Sequence, residues 1–355
     1  MKKIFSAAMI FSGTVIGAGF ASGQEIWIFF GRYGGAGACG VILVGVILAI
    51  CGAGIFLGKA DGDFYDYDSF CKKIGGKNAG KILSFLGTAF MFAALIVMFA
   101  GSGALFVQEF NSSYPGGVCL MAAVCFLCFL FGIKGVCAVN CVLTPLMLIG
   151  MTFLGIYSLV FDTKSVSADY SSLLAVGGSA ISALIYVSYN LLSVPPVLMP
   201  LKNMTRRDSL FAGLLGGGIL GVLGAVMYFV SLNPSYALSE LPALSAADSI
   251  DKNFGLFYGI LIYFSMLTTA VGNGFGLISV LLQKLKNDGF PVKFTLSLIL
   301  TIAASLASLC GFSRLIGSLY VAVGYSAVLI TFLLISYSVK KLKKLSKEVC
   351  RSKGK

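Results

Sequence analysis

Ten apolar runs of roughly twenty residues, separated by short polar segments, leave this chain little choice of fold class. In lipid, every backbone N–H and C=O must be satisfied inside the segment, so such runs read as transmembrane helices. A membrane β-barrel would show short segments of alternating polarity instead. Only 11% of the residues are charged, against about 25% in a soluble domain. The expected fold class is an all-α integral membrane protein. The expected spans are 4–31, 36–58, 82–108, 114–132, 135–161, 174–200, 209–232, 254–283, 291–311 and 313–339. An even number of crossings puts both termini on one side.

The net charge of +12 speaks to orientation rather than to nucleic acid, because no soluble domain is present to carry a basic binding surface. With a cytoplasmic N-terminus, 22 of the 26 lysines and arginines fall inside. They are Lys2, Lys3, the group from Lys59 to Lys81, Lys134, Lys202, Arg206, Arg207, Lys284, Lys286, Lys293 and the tail "KKLKKLSKEVCRSKGK". Arg32, Lys164, Lys252 and Arg314 remain outside. The positive-inside rule then holds at every inner loop, and it predicts a multi-pass plasma-membrane protein with both termini cytoplasmic. The start "MKKIFSAAMIFSG" looks like a secretory signal, but its apolar run continues too far, so it is read as a retained first span.

The chain has ten cysteines and no histidine. Cys39, Cys51, Cys119, Cys125, Cys128, Cys141 and Cys310 lie inside apolar runs. Cys125 and Cys128 have CxxC spacing but no charged surroundings and no second pair, so packing residues are expected rather than a zinc or redox site. Segment 59–81 carries Asp61, Asp63, Asp66 and Asp68. A calcium-binding EF-hand loop counted from Asp61 would need Glu at its twelfth position, where Lys72 stands, so a solvated loop is expected. In segment 233–253 the apolar residues recur at near-helical spacing and predict a short helix over the outer face.

The first span contains "GTVIGAGFASGQEIW" at residues 13–27, an unusual composition for lipid. Gly13, Gly17 and Gly19 weaken the helix near its middle. The sixth span, "LAVGGSAISALIYVSYNLLSVPPVLMPL", carries Pro195 and Pro196, which lack an N–H, just after Tyr189, Asn190 and Ser193. These expected breaks fall in the first span of each five-span half, and an odd number of spans makes the halves opposite in orientation. Interrupted helices at matched positions of inverted halves point to the binding site of a secondary transporter. The alternative is that Gly13-xxx-Gly17 and Gly19-xxx-Gly23 serve close helix packing and the prolines only kink. The expected division is a first repeat at 1–165, a second at 166–339 and a basic tail at 340–355.

On these residues the chain resembles the amino acid–polyamine–organocation superfamily, with the leucine-transporter fold of five-plus-five inverted repeats. The stretch "SGTVIGAGFASGQEIWIFFGRYGG" is similar to the YkvI-like bacterial membrane proteins, which are regarded as amino-acid permeases. The resemblance implies a sodium site between spans one and eight. It would use the carbonyls of Gly13 and Ile16, the carbonyl of Ser265 and the hydroxyls of Thr268 and Thr269. It also implies a substrate site made by Thr14, Gly17, Gly19, Tyr189, Asn190 and Ser193. Against this, the threonines could bond back to their own helix, and Tyr189, Asn190 and Ser193 could satisfy the backbone that the prolines free. The chain also departs from the pattern. Span three has no tyrosine to meet a substrate carboxylate, and Phe20 and Gly23 stand where sodium-coupled members carry an asparagine and an outer-gate arginine.

Glu25 lies six residues past Gly19, about 9 Å along a continuous helix. A carboxylate inside a membrane is costly and marks a functional site. It could accept a coupling proton, pair with a substrate amine or gate the outer vestibule. A structural contact, such as an ion pair with Arg32 or Arg314, is the alternative. The expected function is secondary transport of a small, amino-acid-like solute coupled to sodium or protons. The expected partners are that solute and the bilayer, with no cofactor beyond a sodium ion. A ligand sensor of the same fold is the competing reading. An enzyme is not expected, since zinc HExxH and Ser–His chemistry both need the missing histidine, and nothing resembles the repeated filter of a channel.

Overall fold

The computed structural model describes residues 2–131, 134–161, 173–198 and 204–353. The expectations for Lys164 and Lys202, the side chains of Lys134 and Cys141, and the boundary near residue 165 lie outside what is described. The described residues are helical apart from short connections.

Span one is built from pieces: α1 (Lys2–Val15), α2 (Ala18–Ala21) and α3 (Gln24–Phe29), followed by a 3₁₀ segment at Gly31–Ala36. The expected interruption of this span is present. Long helices follow as α4 (Gly37–Ala60), α5 (Tyr67–Phe110), α6 (Tyr114–Phe131), α7 (Lys134–Phe161), α8 (Leu173–Leu198) and α9 (Arg206–Ser231). Two short helices, α10 (Pro234–Ala237) and α11 (Pro242–Ile250), form the connection in which a helix was expected. The chain ends with α12 (Lys252–Leu285), α13 (Phe290–Ser308), α14 (Phe312–Leu315), a π-helical turn at Ile316–Tyr320, and α15 (Val321–Lys353). Among the described residues nine helices are long and apolar enough to cross a membrane, and the shorter apolar α1 begins the tenth crossing. Large apolar side chains such as Ile149, Val222, Leu306 and Leu329 are exposed on outward faces. In water such a surface would aggregate; in a bilayer it is the lipid contact.

Two expectations need correction. The sixth span is not broken at mid-membrane: α8 runs without interruption through Tyr189, Asn190 and Ser193 to Leu198. Pro195 and Pro196 bring no N–H, so the carbonyls of Leu191 and Leu192 lose their in-helix donors although the helix continues past them. The Lys59 ammonium donates to the Leu198 carbonyl at 2.9 Å, a cation at a helix C-terminus. Segment 59–81 is also not a plain solvated loop. A capping box at Asp66 and Ser69, with Ser69 N–H donating to Asp66 Oδ1 at 2.7 Å, starts α5 well before the membrane, and the helix then bends at Gly76 (φ 69°).

The remaining aspartates of that segment hold the terminal side of the molecule together. Lys341 Nζ lies 2.6 Å from Asp61 Oδ2 and 2.7 Å from Asp63 Oδ2. Arg206 donates to Asp61 and, from Nη1, to Glu348 Oε2 at 2.6 Å. Tyr337 donates to Asp63. Burial opposes ionisation of Asp61 and Asp63, but bonds from Lys341, Arg206 and Tyr337 prevail and hold both below the ordinary carboxylate range.

The tightest helix pair is α4 against α9. A Cβ on Gly213 would lie 2.2 Å from the Ala53 nitrogen, and one on Gly217 would lie 2.3 Å from Ala49 Cα. Backbone meets backbone there, as small-residue faces allow in membranes.

Candidate functional site

The interruption of span one starts where α1 runs out of partners. Ile16 N–H still donates to Ser12 O at 2.8 Å, but Gly17 N–H turns to Val15 O at 2.8 Å. The Gly13 carbonyl therefore loses its in-helix donor, and the carbonyl end of α1 carries partial negative charge. A second interruption follows at Ser22 and Gly23, where Gly23 adopts φ 78°, a conformation that glycine takes at no steric cost. Partners from other elements hold this turn. Tyr258 of α12 donates its hydroxyl to Ala21 O at 2.8 Å, and Ala243 N–H of α11 donates to Ser22 O at 2.8 Å.

The left-handed turn at Gly23 changes the position of Glu25. On a continuous helix its side chain would sit a turn and a half beyond Gly19. Here it folds back over the break, so that a Cβ on Gly19 would lie 2.1 Å from Glu25 Oε1. Gly19 is thus the residue that gives this carboxyl its room. Tyr189 of α8 donates to Glu25 Oε2 at 2.9 Å, and Glu25 is only 4% exposed. Neither Arg32 nor Arg314 pairs with it, and among the described residues no basic side chain comes within ion-pair distance.

Aromatic rings cluster around Tyr189, the donor to the carboxyl. Phe29 and Tyr189 have centroids 5.7 Å apart, Tyr186 and Tyr189 5.3 Å, Phe90 and Tyr189 5.6 Å, and Tyr189 and Tyr320 4.9 Å. All five rings are buried. The Tyr186 hydroxyl, fully buried, has no hydrogen-bond partner of normal geometry. On the far side of the break, Gln24 Nε2 donates to Ser313 Oγ at 2.7 Å, and Ser313 donates to Glu240 through both its amide and its hydroxyl. Gln24 Oε1 stays buried without a partner. A crevice with room for about one water lies between α5, α8 and α15, lined by Ser188, Leu191 and Thr331 among others.

Of the residues expected to form the substrate site, Gly19 and Tyr189 meet at Glu25. Thr14 instead bonds back to Ile10 O at 2.7 Å. Asn190 donates to Tyr186 O at 2.9 Å and Ser193 to Asn190 O at 2.7 Å, so both serve their own helix. Gly17, also expected in the substrate site, faces α12, since its Cβ would lie 3.9 Å from Oγ1 of Thr269, a member of the expected ion set. Thr268 donates to Ser265 O at 3.2 Å within α12. Gly13 faces Thr144 of α7, whose Oγ1 would be 3.3 Å from a Cβ there. Tyr186, Phe90, Tyr320 and Thr144 were not anticipated. Tyr186 alone had a local signal, its three-residue spacing from Tyr189 on one helix face.

The comparisons agree with this geometry at the level of fold. No family model matches the chain. It is 27% identical over 328 residues to the uncharacterized membrane protein YkvI of Bacillus subtilis (strain 168), covering 90% of this chain and 91% of YkvI. It is 24% identical over 335 residues to the uncharacterized protein YyaD of the same strain, covering 93% and 96%. Among solved structures, MhsT in complex with L-phenylalanine superposes with a TM-score of 0.66 at 18% identity, covering 95% of this chain and 87% of MhsT. Inward-facing Mhp1 gives 0.55 at 13% identity, covering 94% and 76%. A variant of the Eremococcus coleocola manganese transporter gives 0.59 at 11%, covering 95% and 78%. The chain is thus a membrane protein, all-helical among its described residues, that is similar along most of its length to YkvI and has the fold that MhsT and Mhp1 share.

Proposed function

We propose that the protein is a secondary transporter that moves a small, amino-acid-like solute across the plasma membrane by alternating access around the break in span one. The observation that carries this reading is the closure of Glu25 onto Gly19, opposite Tyr189 of α8. A buried carboxylate lies where span one is interrupted between helices, as a solute site at membrane depth requires. The complex of MhsT with L-phenylalanine supports a solute of amino-acid size and chemistry. Among the described residues no three histidine, cysteine or carboxylate side chains meet, so a divalent metal cargo finds no such donor set. The distribution of lysine and arginine supports cytoplasmic termini.

Sodium or protons would drive the cycle. The hard-oxygen chemistry suits sodium: the Gly13, Ile16 and Ser265 carbonyls and the Thr268 and Thr269 hydroxyls would hold it, the two threonines lying one helical turn beyond Ser265. A bound sodium would supply positive charge between α1 and α12. The test is a thermal-shift screen of the purified chain across amino acids and amines, in sodium or potassium and at two pH values, followed by uptake of each stabilising solute into proteoliposomes. A solute that binds only the folded state raises the melting temperature. The expected result is a solute whose shift is lost in Gly19→Val and which accumulates against an ion gradient. A sodium requirement that disappears in Thr269→Ala marks the sodium site. A solute that binds but never accumulates would contradict transport and favour a sensor.

A further inference from the structure

We infer that Glu25 is one carboxyl shared between a proton and the ammonium group of the substrate, so that a net-positive amine enters the site as a proton leaves it. The inference deepens the transport reading above and rests on it. An ionised carboxylate at 4% exposure with no cation beside it is costly by several kcal/mol unless something positive neutralises it. The groups facing it are Tyr186 and Tyr189 from α8 and Tyr320 from the π-helical turn that opens span ten. Among the described residues no lysine, arginine or second carboxylate faces it from α5, α9, α12 or the rest of span one. The tyrosines can donate hydrogen bonds but bring no charge. The neutralising group is therefore a proton or a bound cation, and the two compete.

The walls fit an organic cation. Tyr186, Tyr189 and Tyr320 lie beside the carboxyl, Phe29 and Phe90 pack against those rings, and aromatic rings attract ammonium groups in a dry site. Only one hydrogen bond to Glu25 has normal geometry, from Tyr189, and the buried Tyr186 hydroxyl stands unpartnered beside it. An ammonium group, with three donors, can use both. A substrate carboxylate finds no basic side chain there, which favours a net-positive amine over a zwitterion. The exchange balances: the neutral acid and R–NH₃⁺ become the carboxylate–ammonium pair, and one proton is released to water.

The test is calorimetric titration of the full chain in detergent with phenethylamine, L-phenylalanine and phenylacetate. These share a ring and differ in the amine and the carboxylate. Buffers of different ionisation enthalpy count the protons released. Phenethylamine should bind best and release about one proton per molecule at acid pH, with affinity falling about tenfold per pH unit below the midpoint. Phenylacetate should not bind. Glu25→Gln should melt like the parent yet lose the proton release and at least about tenfold in affinity. Should it fail to fold, Glu25→Asp must keep the release. Binding without proton release, unchanged binding in Glu25→Gln, preference for phenylacetate, or binding by none of the three would each overturn the inference. Uptake of phenethylguanidine, which stays protonated, keeps N–H donors and has almost no membrane-permeant neutral form, separates this from the transport reading. Proton-linked binding without uptake keeps the shared carboxyl and rejects transport. Uptake that survives Glu25→Gln keeps transport and rejects the shared carboxyl.

Discussion

The contact between Gly19 and Glu25 decides the chemistry of the site, and each residue explains the other. Any side chain at residue 19 displaces the carboxyl. Gly19→Ala should therefore lower the melting temperature, because Glu25 must shift at Cγ as well as at its tip, and solute affinity should fall at least about tenfold, since a displacement of an ångström is enough to disarm a site. Tyr189→Phe keeps the ring packing and removes the donor to Glu25. It should cost about 1–3 kcal/mol in thermal unfolding, the range for stranding a buried charged partner. Both residues stood out in the sequence as oddities for a lipid-spanning helix. Their contact did not, because it depends on the reversal at Gly23, and a positive φ leaves no mark that distinguishes Gly23 from the glycines nearby. Phe90 and Tyr320 had no local signal at all, since only tertiary packing brings them to Tyr189.

At the scale of elements, hydropathy located the long helices to within a few residues where lipid alone decides their length, as in α6 and α13. It failed where polar contacts extend a helix beyond the membrane. The Asp66 cap carries α5 back to Tyr67, and α15 runs on through the basic tail. Span six was misread because a proline pair was taken as a mid-membrane break. The pair removes two in-helix donors, yet the helix continues over it to Leu198. Span one was read correctly as broken. The glycines of greatest packing consequence lie elsewhere, in the seam of α4 and α9. Gly213→Val would push a side chain into the Ala53 backbone and should destabilise the protein by at least about 2 kcal/mol, read as a lowered melting temperature in detergent.

In the whole molecule the two faces are closed by different chemistry. On the terminal side Asp61 and Asp63 tie the end of α4 to α9 and α15 through Arg206 and Lys341. On the far side Gln24, Ser313 and Glu240 tie span one to the head of span ten and the α10–α11 connection. Because Asp61 and Asp63 are held below their ordinary range, their contribution is present at neutral pH and is lost as pH falls through and below that range. Asp61→Asn should lower stability by about 1–2 kcal/mol at neutral pH, and its difference from the parent should vanish in acid; melting curves across pH check this. Alternating access requires that these closures open in turn around the carboxyl at the break. Solute counterflow tests that most directly: proteoliposomes loaded with unlabelled solute are diluted into a trace of the same solute carrying a label. The account predicts a transient rise of internal label above its equilibrium level, abolished in Gly19→Val. Equilibration without overshoot, or no entry of a solute that the purified protein binds, would contradict it.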